Sequence, residues 1–401
     1  MFSADENWAD RPDMLGCPET GADETMARTL KSDRLLFLAT LLLVGTSIVM
    51  VYSASSYKAM TSTASPLMAV LKQLGVAGFG LLVLSATMRV DYRNFRRPAL
   101  IWTALVLAFI ALVAVLFMPM RNNTTRWFII GSTTIQPSEF AKLALIIFTA
   151  ALLERRMHRI DELSYSLAPI GIATGMFVLL ILKEPDFGTS VAILGIVIAM
   201  IFAAGVKYRY FLTGLLLLVP TLFGIAILAP YRLRRLMSFT DPWAYQAKEG
   251  YQVVQGWIAL GSGGIFGRGL MGGVTKQSFL PEANTDFIAA VIGEELGLIG
   301  ITVLIITFCI IAWRGLRTAV LAPDRFGSLL AIGLTTMVAV QAFFNLSVVT
   351  GLVPNKGLPL PLVSNGGSSL LINLLAMGIL LNISQQASTV AAAKVGVDPE
   401  A

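Results

Sequence analysis

From Leu35 almost to its end the chain alternates apolar runs of about twenty residues with short, polar, Gly- and Pro-rich connections. A run of that length is what a helix needs to cross the hydrocarbon of a bilayer at ~1.5 Å rise per residue. The pattern predicts an all-α membrane protein with ten spans, over 35–55, 67–88, 99–119, 136–153, 165–183, 188–206, 211–230, 285–313, 328–350 and 367–387. Residues 1–34 are polar and acidic-rich and lack the basic start and apolar core of a cleaved signal peptide, so they read as a disordered tail. Residues 35–387 form one transmembrane domain and 388–401 a closing tail. The connection 231–284 is too long for a simple turn, and the apolar/Gly alternation of YQVVQGWIALGSGGIFGRGL within it predicts a short interfacial helix or re-entrant piece. No internal repeat supports an inverted-repeat transporter.

Charge orients this array. Most loop Lys and Arg fall in RVDYRNFRR (89–97), ERRMHR (154–159), KYR (207–209) and RGLRTAVLAPDR (314–325), so these connections and both termini are expected to be cytoplasmic. The remaining connections then share the outer face: RNNTTRWFIIGSTTIQPSEF, KEPDFGTS, the segment 231–284 and GLVPNKGLPLPLVSNGGSS. With 56% hydrophobic and 13% charged residues, the composition is that of a membrane protein. Cytoplasmic anchoring accounts for the net charge of +6 without a nucleic-acid partner. Cys17 lies in the tail and Cys309 in the eighth span, so no disulfide is expected. The one histidine, His158, sits in a basic loop, which excludes Ser-His-Asp, Cys-His and His-ligated zinc chemistry. Catalysis must run on carboxylates, Lys, Arg and backbone groups.

Asp286, after Asn284 and Thr285, opens the eighth span. It caps that helix, accepts a proton from an alcohol at the rim of a membrane cavity, or does both. Glu294 and Glu295 lie deeper, where a charge must be paired or wetted; pairing with a basic residue of another span is expected, with direct catalysis the alternative. Glu139 and Lys142 stand at i, i+3 and predict an internal ion pair. Arg126 beside Trp127 matches an anionic lipid head. Lys356 is either a snorkelling interfacial lysine or a phosphate ligand. It lies in VPNKGLPLPLVSNGG, where Pro354, Pro359 and Pro361 stiffen the backbone and Ser364, Gly366 and Gly367 are further substrate-binding candidates. Arg232, Arg234, Arg235, Arg268 and Lys276 add cations to the same face, Lys276 being a further candidate substrate ligand, and a bound phosphate would explain the cluster. GSGG at 261–264 is a weak phosphate cradle. In KEPDFGTS, Lys183, Glu184 and Asp186 form a turn, with Asp186 capping the sixth span. An outer-face synthetic site has no nucleoside triphosphate, so its substrate carries its own leaving group, and a polyprenyl pyrophosphate is the obvious carrier. Basic residues would hold the pyrophosphate while one carboxylate activates the acceptor hydroxyl.

VYSAS (51–55), RW with IQPSEFAKL, EPDFGTS, DPW (241–243), GSGGIFGRGL, LPEANTDFIAAVIGEELG and NKGLPLPLVSNGGSSLL together resemble the SEDS family (shape, elongation, division and sporulation), most closely its FtsW-like division branch. The resemblance runs from the first span to the last. It implies a ten-span peptidoglycan glycosyltransferase of the bacterial inner membrane, at the division septum. The enzyme would polymerise lipid II, release undecaprenyl pyrophosphate, and work with a class B penicillin-binding protein and other division proteins. It implies Asp286 as catalytic acid, Lys356 and Arg126 as further functional positions, the Glu139/Lys142 pair, and support by a divalent cation, Mg or Mn. Asn284 and Asn365 depart from the family's usual His and Tyr, with activity expected to survive. The alternatives are a lipid II flippase, with Glu294, Glu295 and Asn345 lining a polar path, and a non-catalytic scaffold of the division machinery.

Overall fold

The computed structural model describes residues 33–61, 66–119, 124–130, 133–160, 162–210, 230–248, 250–277, 279–281 and 283–395, with scattered positions between 212 and 224. The tail 1–32 with Cys17, most of the seventh span and residues 396–401 lie outside the described residues. Arg232 lies in a described helix, but its side chain does not belong to the described set.

Eleven α-helices carry the described fold: α1 (Arg34–Thr61), α2 (Pro66–Arg89), α3 (Pro98–Val115), α4 (Pro137–Arg155), α5 (Ala168–Lys183), α6 (Phe187–Ala203), α7 (Pro230–Thr240), α8 (Tyr251–Gly263), α9 (Ile288–Leu321), α10 (Arg325–Val349) and α11 (Gly367–Val395). A two-stranded antiparallel hairpin, β1 (Phe128–Ile130) with β2 (Thr133–Ile135), precedes α4 and pairs Phe128 with Ile135. Start signals are local. Proline stands in the first turn of α3, α4 and α5, where its missing N–H leaves nothing unsatisfied. Asp324 caps α10 by accepting from the Gly327 N–H at 3.0 Å.

Among the described residues, seven helices are long and apolar enough to cross a membrane: Arg34–Ser55, Val70–Arg89, Pro98–Val115, Ser164–Lys183, Ile288–Leu321, Arg325–Val349 and Gly367–Ala387. α6 is apolar but shorter. α4 carries Glu139, Lys142, Glu154 and Arg155 and is too charged for the same class, yet 15 of its 19 residues are buried, which makes it a central helix. The expected run 99–119 ends early, at Val115. The long connection holds α8 where a short helix or re-entrant piece is expected, and a further helix, α7, ahead of it.

Side-chain contacts sort helix ends into two groups. At one end, Gln136 ahead of α4 meets Ser368 in α11 (3.1 Å) and Asn345 late in α10 meets the turn before α9 (2.8 Å). At the other, Asp33 ahead of α1 pairs with Arg314 late in α9 (2.5 Å), and Arg96 ahead of α3 pairs with Glu154 late in α4 (2.9 Å). There also the Tyr92 hydroxyl, after α2, donates to Asp324 ahead of α10 (2.6 Å). The helices therefore run alternately up and down. The basic connections 89–97, 154–159 and 314–325 gather at the second end, away from Asp286 and Lys356.

α9 is broken. Gly297 stands at φ 66°, ψ −161°, outside helical space, so one apolar run folds as two helical pieces. The backbone groups freed at the break are taken up by the loop after α8: Arg268 N donates to Glu294 O and Gly269 N to Glu295 O (both 3.0 Å), and Leu298 N donates to Gly264 O (2.9 Å). Irregular backbone at this depth is tolerated because protein covers it.

Candidate functional site

The helix carrying the eighth apolar run begins at Ile288 rather than Thr285, and residues 283–287 form a turn. Asp286 is therefore not the cap expected from its position. Phe287 occupies the cap site without a side-chain cap bond, and its buried ring packs against Gly256.

Two polar side chains lock this turn to the segment 354–366. Asn345 Nδ2 donates to both Asp286 O (2.8 Å) and Leu358 O (2.7 Å). The Ser364 hydroxyl donates to Thr285 O (2.6 Å) and accepts from Leu360 N (2.8 Å). Asn365 N donates to Asn284 O (2.9 Å), and Asn284 Nδ2 reaches Ser55 of α1 (3.1 Å). The two asparagines that depart from the pattern of the family the chain resembles are thus joined through their backbones. The half-buried Asp286 carboxylate lies against Gly357, where a Cβ would come within 2.7 Å of Oδ2. A side chain at 357 would push this carboxylate aside.

Lys356 is next to that contact. Its Nζ lies 4.6 Å from the Phe187 ring centroid and 5.6 Å from that of Phe344, a cation held on two aromatic faces. Burial pushes its pKa down to about 8, with the Asp186 charge opposing. Asp186 caps α6: its carboxylate accepts from Thr189 N (3.1 Å), Thr189 Oγ1 (2.8 Å) and Gln136 Nε2 (3.2 Å), with Arg126 3.8 Å away. Arg126 grips the same turn, Nε donating to Glu184 O (3.1 Å) and Nη2 to Pro185 O. Expected at a lipid head, this guanidinium is spent largely on backbone carbonyls. The Glu184 side chain is fully buried and, among the described residues, neither carboxyl oxygen has a hydrogen-bond partner. Burial and then Asp186 push it up to about 9 against the pull of Arg126, so it is a neutral acid at neutral pH.

A second cluster sits at the break in α9. Glu295 accepts from Lys276 Nζ (2.6 Å), Ser53 Oγ (2.5 Å) and Met271 N (3.0 Å). Glu294 accepts from Val274 N (2.7 Å) and from the Thr275 hydroxyl. The basic partner thus comes from the loop just ahead of the helix, not from another span as expected. Lys276 is 3% exposed and committed to this pair and to Ser53, two residues from the Ser55 that Asn284 meets. GSGG (261–264) ends α8 against the backbone of Gly293 and Glu294, a packing contact. Lys142 Nζ lies 2.8 Å from Glu139 Oε1, both side chains out of water. Gly366 N donates to Ser364 O (2.9 Å), and Gly367 is the first residue of α11. Arg234 is exposed on α7, and Arg268 donates to Ser262 O (3.2 Å).

Asp286, Lys356, Ser364, Arg126 and Asp186 thus meet at one end of the bundle. Sequence reasoning missed Gly357 and Phe187 as parts of the site, and it gave Glu184 only a place in a turn. The signals were present in the KG and DF pairs, but their meaning needs contacts across more than 70 residues. Among the described residues no three His, Cys, Asp or Glu side chains gather as a metal-binding group. Asp186, the carboxylate nearest Arg126, is already engaged by Thr189, Gln136 and that guanidinium, which fits a resident cation centre poorly.

The family described as a cell cycle protein, FtsW/RodA/SpoVE, matches residues 33–389. The chain is 40% identical over 357 residues to a probable peptidoglycan glycosyltransferase FtsW of Geobacter metallireducens, covering 88% of this chain and 94% of that one. It is also 40% identical over 359 residues to stage V sporulation protein E of Bacillus subtilis, covering 88% and 97%. Among solved structures, a chain from a peptidoglycan synthase complex that coordinates polymerization and crosslinking superposes with a TM-score of 0.73 at 26% identity, over 88% of this chain and 98% of that one. The rod shape determining protein RodA of Thermus thermophilus superposes with a TM-score of 0.65 at 26% identity, over 89% and 97%.

Proposed function

The chain belongs to the FtsW/RodA/SpoVE family of cell cycle proteins, and from that premise we propose that it is a peptidoglycan glycosyltransferase polymerising lipid II at the outer face of the cytoplasmic membrane during septal wall synthesis. The supporting observation is the meeting of the Asp286 turn with the Lys356–Gly357 segment at one half-exposed site, at the bundle end opposite the basic connections. In this reading Asp286 takes the proton of the acceptor's GlcNAc 4-hydroxyl. That oxygen attacks C1 of the donor MurNAc, the C1–O bond to pyrophosphate breaks, and undecaprenyl pyrophosphate leaves. Lys356, cationic below about pH 8, neutralises the departing pyrophosphate. Asn345 and Ser364 are positioning residues that hold the two backbones in register. Arg126 keeps the 184–186 turn, and through Phe187 the lysine, in place.

Ten spans with both termini in the cytoplasm complete the architecture in this reading, and a class B penicillin-binding protein together with other division proteins forms the working complex. A divalent cation would arrive with the substrate and lower the charge on its pyrophosphate; no step above is assigned to it.

The test is polymerisation of lipid II by the purified chain, alone and with its transpeptidase partner. Asp286→Asn keeps the shape and removes the base, so its rate should fall by at least about a hundredfold. An unchanged rate would remove Asp286 from the chemistry.

A further inference from the structure

A groove of about 810 Å³ runs along the outer face of α5, lined by Phe109, Gly171, Gly175, Leu179, Leu182 and Lys183 among others. Its length, Gly171 to Lys183, is about 18 Å along the helix. That is a little more than one leaflet of a ~30 Å hydrocarbon core. Leu179 and Ile172 stand 63% and 71% exposed on its rim, so it opens sideways toward lipid. Phe109 of α3, packed edge-on to Phe177, forms a wall.

Two features separate this groove from ordinary lipid-facing surface. Gly171 and Gly175 recur at i, i+4, the spacing that normally lets another helix press close. Here, among the described residues, nothing lies within 4 Å of a Cβ built on either one. The missing side chains leave open space instead of a helix contact. The second feature is charge. The lining is apolar except for Lys183 at one end, and that end continues directly into Glu184, whose carbonyl Arg126 holds at 3.1 Å. The same turn carries Asp186 and Phe187, and Phe187 stacks on Lys356 beside the Asp286 turn.

From this geometry we infer that the groove seats the isoprenoid tail of a polyprenyl pyrophosphate carrier, its anionic head at Lys183 and directed toward the Asp286–Lys356 site. The inference deepens the glycosyltransferase reading and rests on it. A channel one helix face wide, one leaflet long and cationic only at its site end suits a single unbranched-path chain with an anionic head better than a two-chain phospholipid.

Full-length protein in lipid nanodiscs is photolabelled with a diazirine-bearing polyprenyl pyrophosphate, and labelled peptides are mapped. Labelling of α5, displaced by unlabelled polyprenyl pyrophosphate and not by phosphatidylglycerol, is the expected result. Equal displacement by both, or no label on α5, overturns the assignment. In parallel, Gly171→Leu fills the far end of the groove with a residue of higher helix propensity. KM for a full-length carrier substrate should rise about tenfold or more, while a farnesyl-tailed analogue too short to reach Gly171 keeps its KM. Unchanged KM for the long substrate, or an equal rise for both, sinks the groove. A wild-type chain that never polymerises defeats the glycosyltransferase reading instead, and the photolabelling still decides whether the groove takes a polyprenyl chain.

Discussion

Half-buried Lys356 and buried Glu184 have opposite protonation behaviour and predict separate pH effects. Lys356 is cationic below about pH 8 and neutral above it. If its charge offsets the pyrophosphate, the rate falls as pH rises through that value. Lys356→Arg, whose guanidinium stays charged, should move the alkaline limb upward. Lys356→Ala should lower kcat/KM about 10- to 100-fold at neutral pH. An alkaline limb that stays in place in the arginine variant would assign it to another group. Glu184 acts on stability. The unfolded carboxyl loses its proton near the ordinary glutamate value of 4.5, whereas the folded one keeps it to about 9. Across that window the native state binds the extra proton, so stability declines with rising pH, by at most about 1.4 kcal/mol per unit. Glu184→Gln imitates the neutral acid and does not titrate. Its thermal midpoint relative to wild type should therefore climb between about pH 5.5 and pH 8, and a flat difference would contradict a buried neutral acid.

At the scale of elements, the break in α9 explains how two adjacent glutamates are tolerated in an apolar run. Glu294 and Glu295 look costly in sequence, and the need to pair them was legible there. The partner was not, because a straight helix points toward neighbouring spans. The left-handed Gly297 instead brings the loop 264–277 into the helix path, so backbone N–H groups and Lys276 reach both carboxylates. A positive-φ glycine amid apolar neighbours leaves no periodicity signal, since apolar spacing reports faces and not dihedrals. Gly297→Ala would combine a disfavoured φ with overlap of its Cβ on Gly267 N and Ile265 O, and should lower stability by roughly 2 kcal/mol or more. Glu295→Ala strands Lys276 in a dry site and should cost about 3–5 kcal/mol. Replacing both, Glu295→Met with Lys276→Met, should recover most of that loss. Thermal unfolding of the wild type, Glu295→Met, Lys276→Met and the double variant measures the coupling, and purely additive losses would mean that the pair does not act as a unit.

For the whole molecule, apolar run length located most of the helices to within a few residues, since burying a backbone in lipid leaves little choice but helix. α4 shows where hydropathy alone misleads. It is charged because it is central, and its partners were readable only from the i, i+3 spacing of Glu139 and Lys142. Arg126 shows the converse limit, since its placement on a turn 58 residues away is a tertiary fact with no local trace. The distribution of loop charge carries the largest consequence. The basic connections gather at the end opposite Asp286, and positive charge is retained on the cytoplasmic side. The Asp286 end should then face outward, where lipid-linked sugars with built-in leaving groups are the available substrates. In a background with Cys17→Ser and Cys309→Ser, Leu352→Cys lies 72% exposed near the site end, and Leu321→Cys lies 47% exposed near the basic end. A membrane-impermeant maleimide should label the first in intact spheroplasts and the second only after permeabilisation. The reverse pattern would put Asp286 on the cytoplasmic side and remove the premise that the donor must bring its own pyrophosphate.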